Sequence, residues 1–188
     1  NPKVNREALA LYLKYAYVPA PYSIYTDIYK LLPGTVLTLK NFSPEFLPQP
    51  QTYWSAKASA QEGMRNRFKG TRADALKELD PLLKDAVNMR LGSDVPLGVF
   101  LSGGIDSSLV TALMQTQSGR PVKTFTIGFR EEAYNEAQKA AKIAEHLGTQ
   151  HTELFVQPQD SLGVIPQLPD IYDEPFADSS GIPTFLIS

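Results

Sequence analysis

The stretch VFLSGGIDSSLV, residues 99–110, gathers the groups that phosphate chemistry needs. An apolar run stops at Ser102, Gly103 and Gly104. Asp106, Ser107 and Ser108 follow, and an apolar pattern then resumes. Gly103 and Gly104 lack a Cβ, so a phosphate oxygen can approach their backbone closely. Successive N–H groups at such a turn form an anion nest. A helix starting there adds a partial positive charge of about half a unit. Ser102, Ser107 and Ser108 supply hydroxyl donors. Asp106 would repel a bare phosphate, and its presence makes sense if it holds Mg²⁺, which reaches phosphates through a carboxylate or two and waters. The stretch therefore predicts a pyrophosphate cradle with its metal. It matches neither G-x-x-x-x-G-K-[ST] nor G-x-G-x-x-G. The plainer alternative is a Gly-Gly turn with Asp106 as a helix cap.

Such a cradle needs a strand before it and a helix after it, and the surrounding sequence supplies both. VPLGVFL (95–101) reads as a buried strand. Asp106 to Gln117 reads as a helix with Leu109, Val110, Leu113 and Met114 on one face. VKTFTIGF (122–129) is a second strand. Asn135 to Leu147 is a helix with Ala137, Ala140, Ala141, Ala144 and Leu147 inward. Asn135 and Gln138 make a capping-box pair, and Gly148 stands just past the end. HTELFV (151–156) is a third strand. Strand, helix, strand, helix, strand predicts right-handed crossovers and an α/β fold with a parallel sheet and helices on both faces. In such sheets ligands bind beyond the carboxyl ends of the strands, where SGGIDSS falls.

Upstream, residues 5–17 predict a helix capped by Asn5, with Leu9, Tyr12, Leu13, Ala16 and Tyr17 on its apolar face. The prolines of VPAPY end it. LLPGTVLTLK gives a Pro-Gly turn and a short strand. NFSPEFLPQPQTYW holds three prolines and reads as an irregular linker with Tyr53 and Trp54 packed in it. A boundary near residue 50 divides the chain into 1–50 and 51–188. TRADALKELDPLLKDAVNMRL reads as helical through Leu76, Leu79, Leu83, Ala86, Val87 and Arg90, with Thr71 and Asp74 as a weak capping box. Pro81 leaves two options: a kink, or a fresh helix capped by Asp80.

Composition narrows the function classes. With 43% hydrophobic and 20% charged residues over 188 positions, a soluble globular core is expected. A formal net charge of −2 and the lack of a basic stripe argue against a nucleic-acid partner. No apolar run approaches the roughly 20 residues that span a bilayer, and the start lacks a signal-peptide pattern. A cytoplasmic location is the default. No cysteine is present, which excludes a disulfide scaffold, a cysteine-rich zinc site and a cysteine nucleophile in this segment. His146 and His151 alone cannot make a histidine metal cluster. His151 is expected to be a structural hydrogen-bonder, and Glu136 a charge that complements a helix dipole. Asp173, Glu174 and Asp178 read either as a solvated loop or as a group near the metal or substrate amine. The end at PTFLIS, in an apolar pattern without a stop signal, predicts a piece of something longer.

SGGIDSS resembles the pyrophosphate loop S-G-G-x-D-S of the ATP pyrophosphatases, whose fold is adenine nucleotide alpha hydrolase-like. Three further stretches resemble the glutamine-dependent asparagine synthetases: RLGSDVPLGVFLSGGIDSSLV, FTIGF with YNEAQKAAKIAEHLGTQHTE, and DEPFADSSGIPTFLIS. LALYLKYAYVPAPYSIYTDIYKLLPGTVLTLK with TYW is similar to the tail of that family's glutaminase domain and the entry to its synthetase domain. Residues 56–70 carry least of the likeness.

The resemblance implies a partial synthetase domain over 51–188, preceded by the end of a glutaminase domain over 1–50. It implies ATP and Mg²⁺ as cofactors, aspartate and glutamine-derived ammonia as substrates, and AMP and pyrophosphate as products. The glutaminase domain of the parent chain would be its partner, with a homodimer left open. Ser102, Gly103, Gly104, Ser107 and Ser108 would bind the phosphates and Asp106 the Mg²⁺. Leu101 and Ile127 would flank the adenosine, although apolar strand residues are ordinarily core. No catalytic nucleophile is required. The family's N-terminal cysteine and its later glycine-aspartate motif do not occur here, so this segment alone is expected to be incomplete as a catalyst. Relatives that amidate other carboxylates or close β-lactams, and a nucleotide-binding module without chemistry, are the competing expectations.

Overall fold

The computed structural model describes residues 2–39, 48–129 and 136–188. The chain divides into two compact units, Asn1–Lys69 with Pro166–Asp178, and Gly70–Ile165 with Ser179–Ser188.

The second unit carries the parallel sheet. β3 (Gly98–Phe100), β4 (Lys123–Phe129) and β5 (Gln150–Val156) lie in that order. β4 pairs in parallel with both neighbours, from Gly98↔Lys123 to Phe100↔Phe125 and from Lys123↔Gln150 to Phe129↔Val156. α4 (Ile105–Gln117) and α5 (Ala137–Leu147) are the crossovers. Two right-handed crossovers that step the same way place both helices on one face, and α4 and α5 do touch. α8 (Gly181–Ile187) packs on β4 over the other face. The expected α/β architecture with helices on both faces is present.

α5 follows its alanines. Ala137, Ala140 and Ala144 are buried, and such small side chains let the helix approach the sheet closely. Gly148 ends it at φ +69, the left-handed conformation that glycine adopts without a Cβ penalty. The Asn135 half of the expected capping box lies outside the described residues; Glu136 is the N-cap and makes no side-chain capping bond. β4 alternates in an unexpected sense. Its threonines Thr124 and Thr126 are buried with Gly128, whereas Phe125, Ile127 and Phe129 are only half-buried. Thr124 Oγ1 bonds Thr149 Oγ1 and His151 Nδ1, both at 2.9 Å, so the buried hydroxyl is satisfied and His151 is a structural hydrogen-bonder.

α3 (Arg72–Asn88) packs against α4. Its capping box is complete: Asp74 N–H donates to Thr71 Oγ1 at 3.3 Å and Thr71 N–H donates to Asp74 Oδ2 at 2.9 Å. The helix runs unbroken through Pro81. Asp80 therefore caps no second helix; it pairs with Lys84 one turn on at 2.7 Å. α6 (Pro158–Val164) completes this unit, packing against α8.

In the first unit, α1 (Arg6–Tyr15) begins at Asn5, whose side chain accepts from Glu7 N–H and Ala8 N–H. The buried face differs from expectation. Ala8 packs with Val18 and Ile24, flanked by Tyr12 and Tyr25, while Leu13 is 79% exposed. The helix stops at Ala16 in the left-handed region, before the prolines. The expected strand in LLPGTVLTLK shortens to β1 (Thr35–Val36), which pairs antiparallel with β2 (Gln51–Thr52). Of the predicted linker, residues 41–47 lie outside the described residues. Tyr53 and Trp54 are tied to Gly34 O by their N–H groups, but both rings are exposed rather than packed. α2 (Ala56–Arg65), capped by Ser55, was not anticipated, its residues being mostly small or polar. α7 (Leu168–Tyr172) completes this unit.

Two stability predictions follow from α3. Proline inside a helix costs roughly 3 kcal/mol, so Pro81→Ala should stabilise the protein by about 1–3 kcal/mol; an unchanged or lower urea midpoint would show that Pro81 is favoured where it stands. The hydrogen bonds from Thr71 hold the Asp74 carboxyl below its ordinary value of 3.8. A folded-state pKa below the unfolded one contributes stability above the unfolded value, and that contribution disappears as pH falls through the folded value. Asp74→Ala should therefore weaken the protein near neutral pH, with the two urea midpoints converging at low pH. Parallel curves would refute the ionised cap.

Candidate nucleotide site

The loop after β3 is rooted at Leu101. Its side chain is 1% exposed and packs with Ala140 and Ala144, beside Ile143. Its N–H donates to Phe125 O at 2.8 Å, and its carbonyl accepts from the Thr126 hydroxyl. From the next residue the backbone turns inward on itself. Ser102 N–H donates to Ser107 Oγ at 3.2 Å, the two hydroxyls meet at 3.0 Å, and Gly104 N–H reaches Ser102 Oγ at 3.4 Å. Ser107 and Ser108 both donate to Gly104 O, at 3.2 and 2.6 Å.

The two glycines serve different needs. Gly103 sits at φ +75, and a Cβ there would lie 2.9 Å from Lys139 Cβ and 3.2 Å from Ala140 N. The space that a Cβ on Gly103 would need is thus filled by α5. A Cβ on Gly104 would meet nothing nearer than Ser102 Oγ at 3.4 Å. Gly104 is the N-cap of α4 and offers no side-chain cap, so the first-turn N–H groups are left for an outside acceptor.

Asp106 stands in that first turn, exposed, and forms no ion pair among the described residues. No group of three His, Cys, Asp or Glu side chains comes together among them either. A single open carboxylate beside a backbone anion site suits an ion that takes most of its ligands from phosphate and water, as Mg²⁺ does, and does not suit an all-protein cage.

Beside the loop, on the α8 face of the sheet, lies a cavity of 340 Å³. Phe100, Phe125, Ile127 and Phe129 form its sheet wall, Pro183, Thr184 and Ile187 its α8 wall, and Ser102 its junction with the loop. A mostly apolar pocket with a few polar groups at one end has the character of a small-molecule site. Ile127 reaches it as the expected flank of a base. Leu101 borders it, with its side chain committed to the core. Glu136 also lines it, and as a carboxylate there it could accept from a sugar hydroxyl or an exocyclic amine. Glu136 stands at the start of α5, where its charge complements the helix dipole; its place in the cavity wall is visible only in three dimensions. Of the acidic group, Glu174 is engaged in the first unit, where it pairs with Lys30 and accepts from Ile24 N–H at 3.4 Å. It is thus a structural ion-pair partner.

A parallel three-stranded sheet with a glycine-serine loop at the carboxyl end of its first strand gives an α/β fold of the nucleotide alpha hydrolase-like type. Residues 78–188 match the family model for asparagine synthase. A protein of Methanocaldococcus jannaschii, provisionally named a glutamine-hydrolysing asparagine synthetase, is 34% identical over 98% of this chain and 34% of its own length. The glutamine-hydrolysing asparagine synthetase 1 of Bacillus subtilis is 29% identical over 99% of this chain and 28% of its own, and that of Asparagus officinalis 39% over 46% and 17%. The chain belongs to the asparagine synthase family. It spans about a third of the length of the curated relatives it matches.

Gly103→Ala should cost about 1–3 kcal/mol, since it forces an L-residue into the left-handed region against α5. Gly104→Ala, at φ −78 and in open space, should cost less than about 1 kcal/mol. Urea unfolding of both variants checks the order, and a reversed order would refute this division between the glycines.

Proposed function

We propose that this chain is part of a glutamine-hydrolysing asparagine synthetase, a ligase of amino-acid biosynthesis acting in the cytoplasm. The single observation that carries the reading is Gly104, an uncapped helix start with open space before it, set beside an apolar cavity at the strand ends. Residues 51–188 are then the first part of the synthetase domain, and residues 1–50 the end of the glutaminase domain that supplies ammonia. No described helix is long and apolar enough to cross a membrane.

In this reading ATP lies with its base against Ile127 and its β and γ phosphates on the loop. The side-chain carboxylate of aspartate attacks the α phosphorus; the bond to the β phosphate breaks, and pyrophosphate leaves with the electron pair. Ammonia then attacks the activated acyl carbon, AMP departs, and a proton is lost to give the amide. Mg²⁺, held through Asp106, would supply neutralisation of phosphate charge. This chain's own residues bind and orient: the first-turn N–H groups of α4 receive phosphate oxygens, Ser102 and Ser107 shape the loop, and the cavity excludes water from the base. Positioning and charge stabilisation dominate such phosphoryl chemistry, so no nucleophile from the chain is needed.

The full-length protein carrying this chain should convert ATP to AMP and pyrophosphate only when aspartate is present. ATP cleavage to ADP, or cleavage indifferent to aspartate, would refute the assignment. Asp106→Asn should weaken Mg-ATP binding at least about tenfold in a calorimetric titration, with the circular dichroism unchanged. Unaltered affinity would remove Asp106 from the metal.

A further inference from the structure

We propose that Thr126 is a positioning residue for the phosphate loop: its hydroxyl fixes the Leu101 carbonyl and thereby the point at which the loop leaves the sheet. The inference deepens the nucleotide-site reading above and rests on it.

The paired residues of β3 and β4 end at Phe100 and Phe125. Leu101 is the next residue, and its N–H still follows the sheet by donating to Phe125 O. Its carbonyl accepts from a side chain, the Thr126 hydroxyl, and Ser102 N–H then turns to Ser107. Leu101 is therefore the hinge between ladder and loop, with one backbone group on each side of the change. Thr126 is 3% exposed, so the bond is made inside the protein and not at its surface. A buried carbonyl that loses its donor bears a desolvation penalty, and the backbone shifts to relieve it. The shift begins one residue before Ser102 and carries the N-terminus of α4 with it. Oriented donors lose effect steeply when displaced by fractions of an ångström.

The same strand holds its own control. Thr124 is on the same face, is fully buried and is also a bonded threonine, but its hydroxyl meets Thr149 and His151 toward the other end of the sheet. Loss of a buried hydroxyl as such predicts equal effects at the two sites. Positioning of the loop predicts an effect on ATP at Thr126 alone.

The test is Mg-ATP titration by calorimetry on the full-length protein, with thermal melting alongside. Thr126→Val should weaken Mg-ATP about tenfold, the scale of one misplaced hydrogen-bonding group. Thr126→Ser should restore affinity to within about twofold, because the hydroxyl is what matters. Thr124→Val should lower the melting temperature and leave Mg-ATP affinity alone. If Thr126→Val does not fold, Thr126→Ala removes the hydroxyl with less bulk and is read in its place. Unchanged affinity in the hydroxyl-free variants, or an equal loss from Thr124→Val, would overturn the proposal. The titration does not depend on the acceptor, so absence of aspartate-dependent AMP in the unsubstituted protein would overturn the aspartate assignment alone. Absence of Mg-ATP binding in the unsubstituted protein would overturn both.

Discussion

The approach of α5 to the sheet sets the geometry of everything around the loop. Ala140 and Ala144 present almost no side chain to Leu101, so helix and strand end lie close together. At that separation the residue two beyond Leu101 has room only for a hydrogen atom toward Lys139 and Ala140, and its backbone turns through the left-handed region. Gly103 is therefore dictated twice, by space and by conformation. Larger residues on α5 would push the helix outward, and the loop would lose the wall it leans on. The loop's form is thus a packing result first, and packing leaves open space in front of Gly104.

The sheet divides its two faces accordingly. Under α5 the strand β4 offers threonines and a glycine, compact residues whose hydroxyls tie neighbouring segments together. On the α8 face it offers Phe125, Ile127 and Phe129, which remain half-buried because they wall a cavity instead of filling a core. The usual expectation that the larger apolar residues occupy the tighter face is inverted here. Close packing where the loop must be rigid, and open apolar surface where a ligand would lie, are two properties of one alternating strand.

Much of this was legible in the chain itself. The βαβαβ alternation, the inward alanines of α5, the Gly148 stop and the Thr71–Asp74 box are local patterns, and local patterns survive folding. The face of α1 was misread because leucines at helical spacing outweighed Ala8, and what decides that face is Val18 and Ile24, which arrive from beyond the helix. α2 was passed over because its ten residues are mostly small or polar, with Met64 its one large apolar side chain. Pro81 was ambiguous because proline tolerates either a start or, at a cost, an interior. Thr126 and Glu136 were invisible as site residues for one reason: their roles depend on partners 25 residues away or on a cavity that exists only after folding.

The hydroxyl protons of the loop show how its donors are divided. Each serine has one proton to give. Ser108 gives its proton to Gly104 O at 2.6 Å, which ties it to the helix start. Ser107 has Gly104 O and Ser102 Oγ within reach while accepting from Ser102 N–H, which makes it the knot of the loop. Only Ser102 can turn its proton outward without undoing a bond to the backbone, because its other contact is the Ser107 oxygen. In this arrangement the serines hold the loop's shape, and the Ser102 hydroxyl and the uncapped N–H groups of α4 stand as its candidate donors. In the proposed reading these N–H donors are fixed before an anion arrives, which is the condition under which oriented dipoles are most effective.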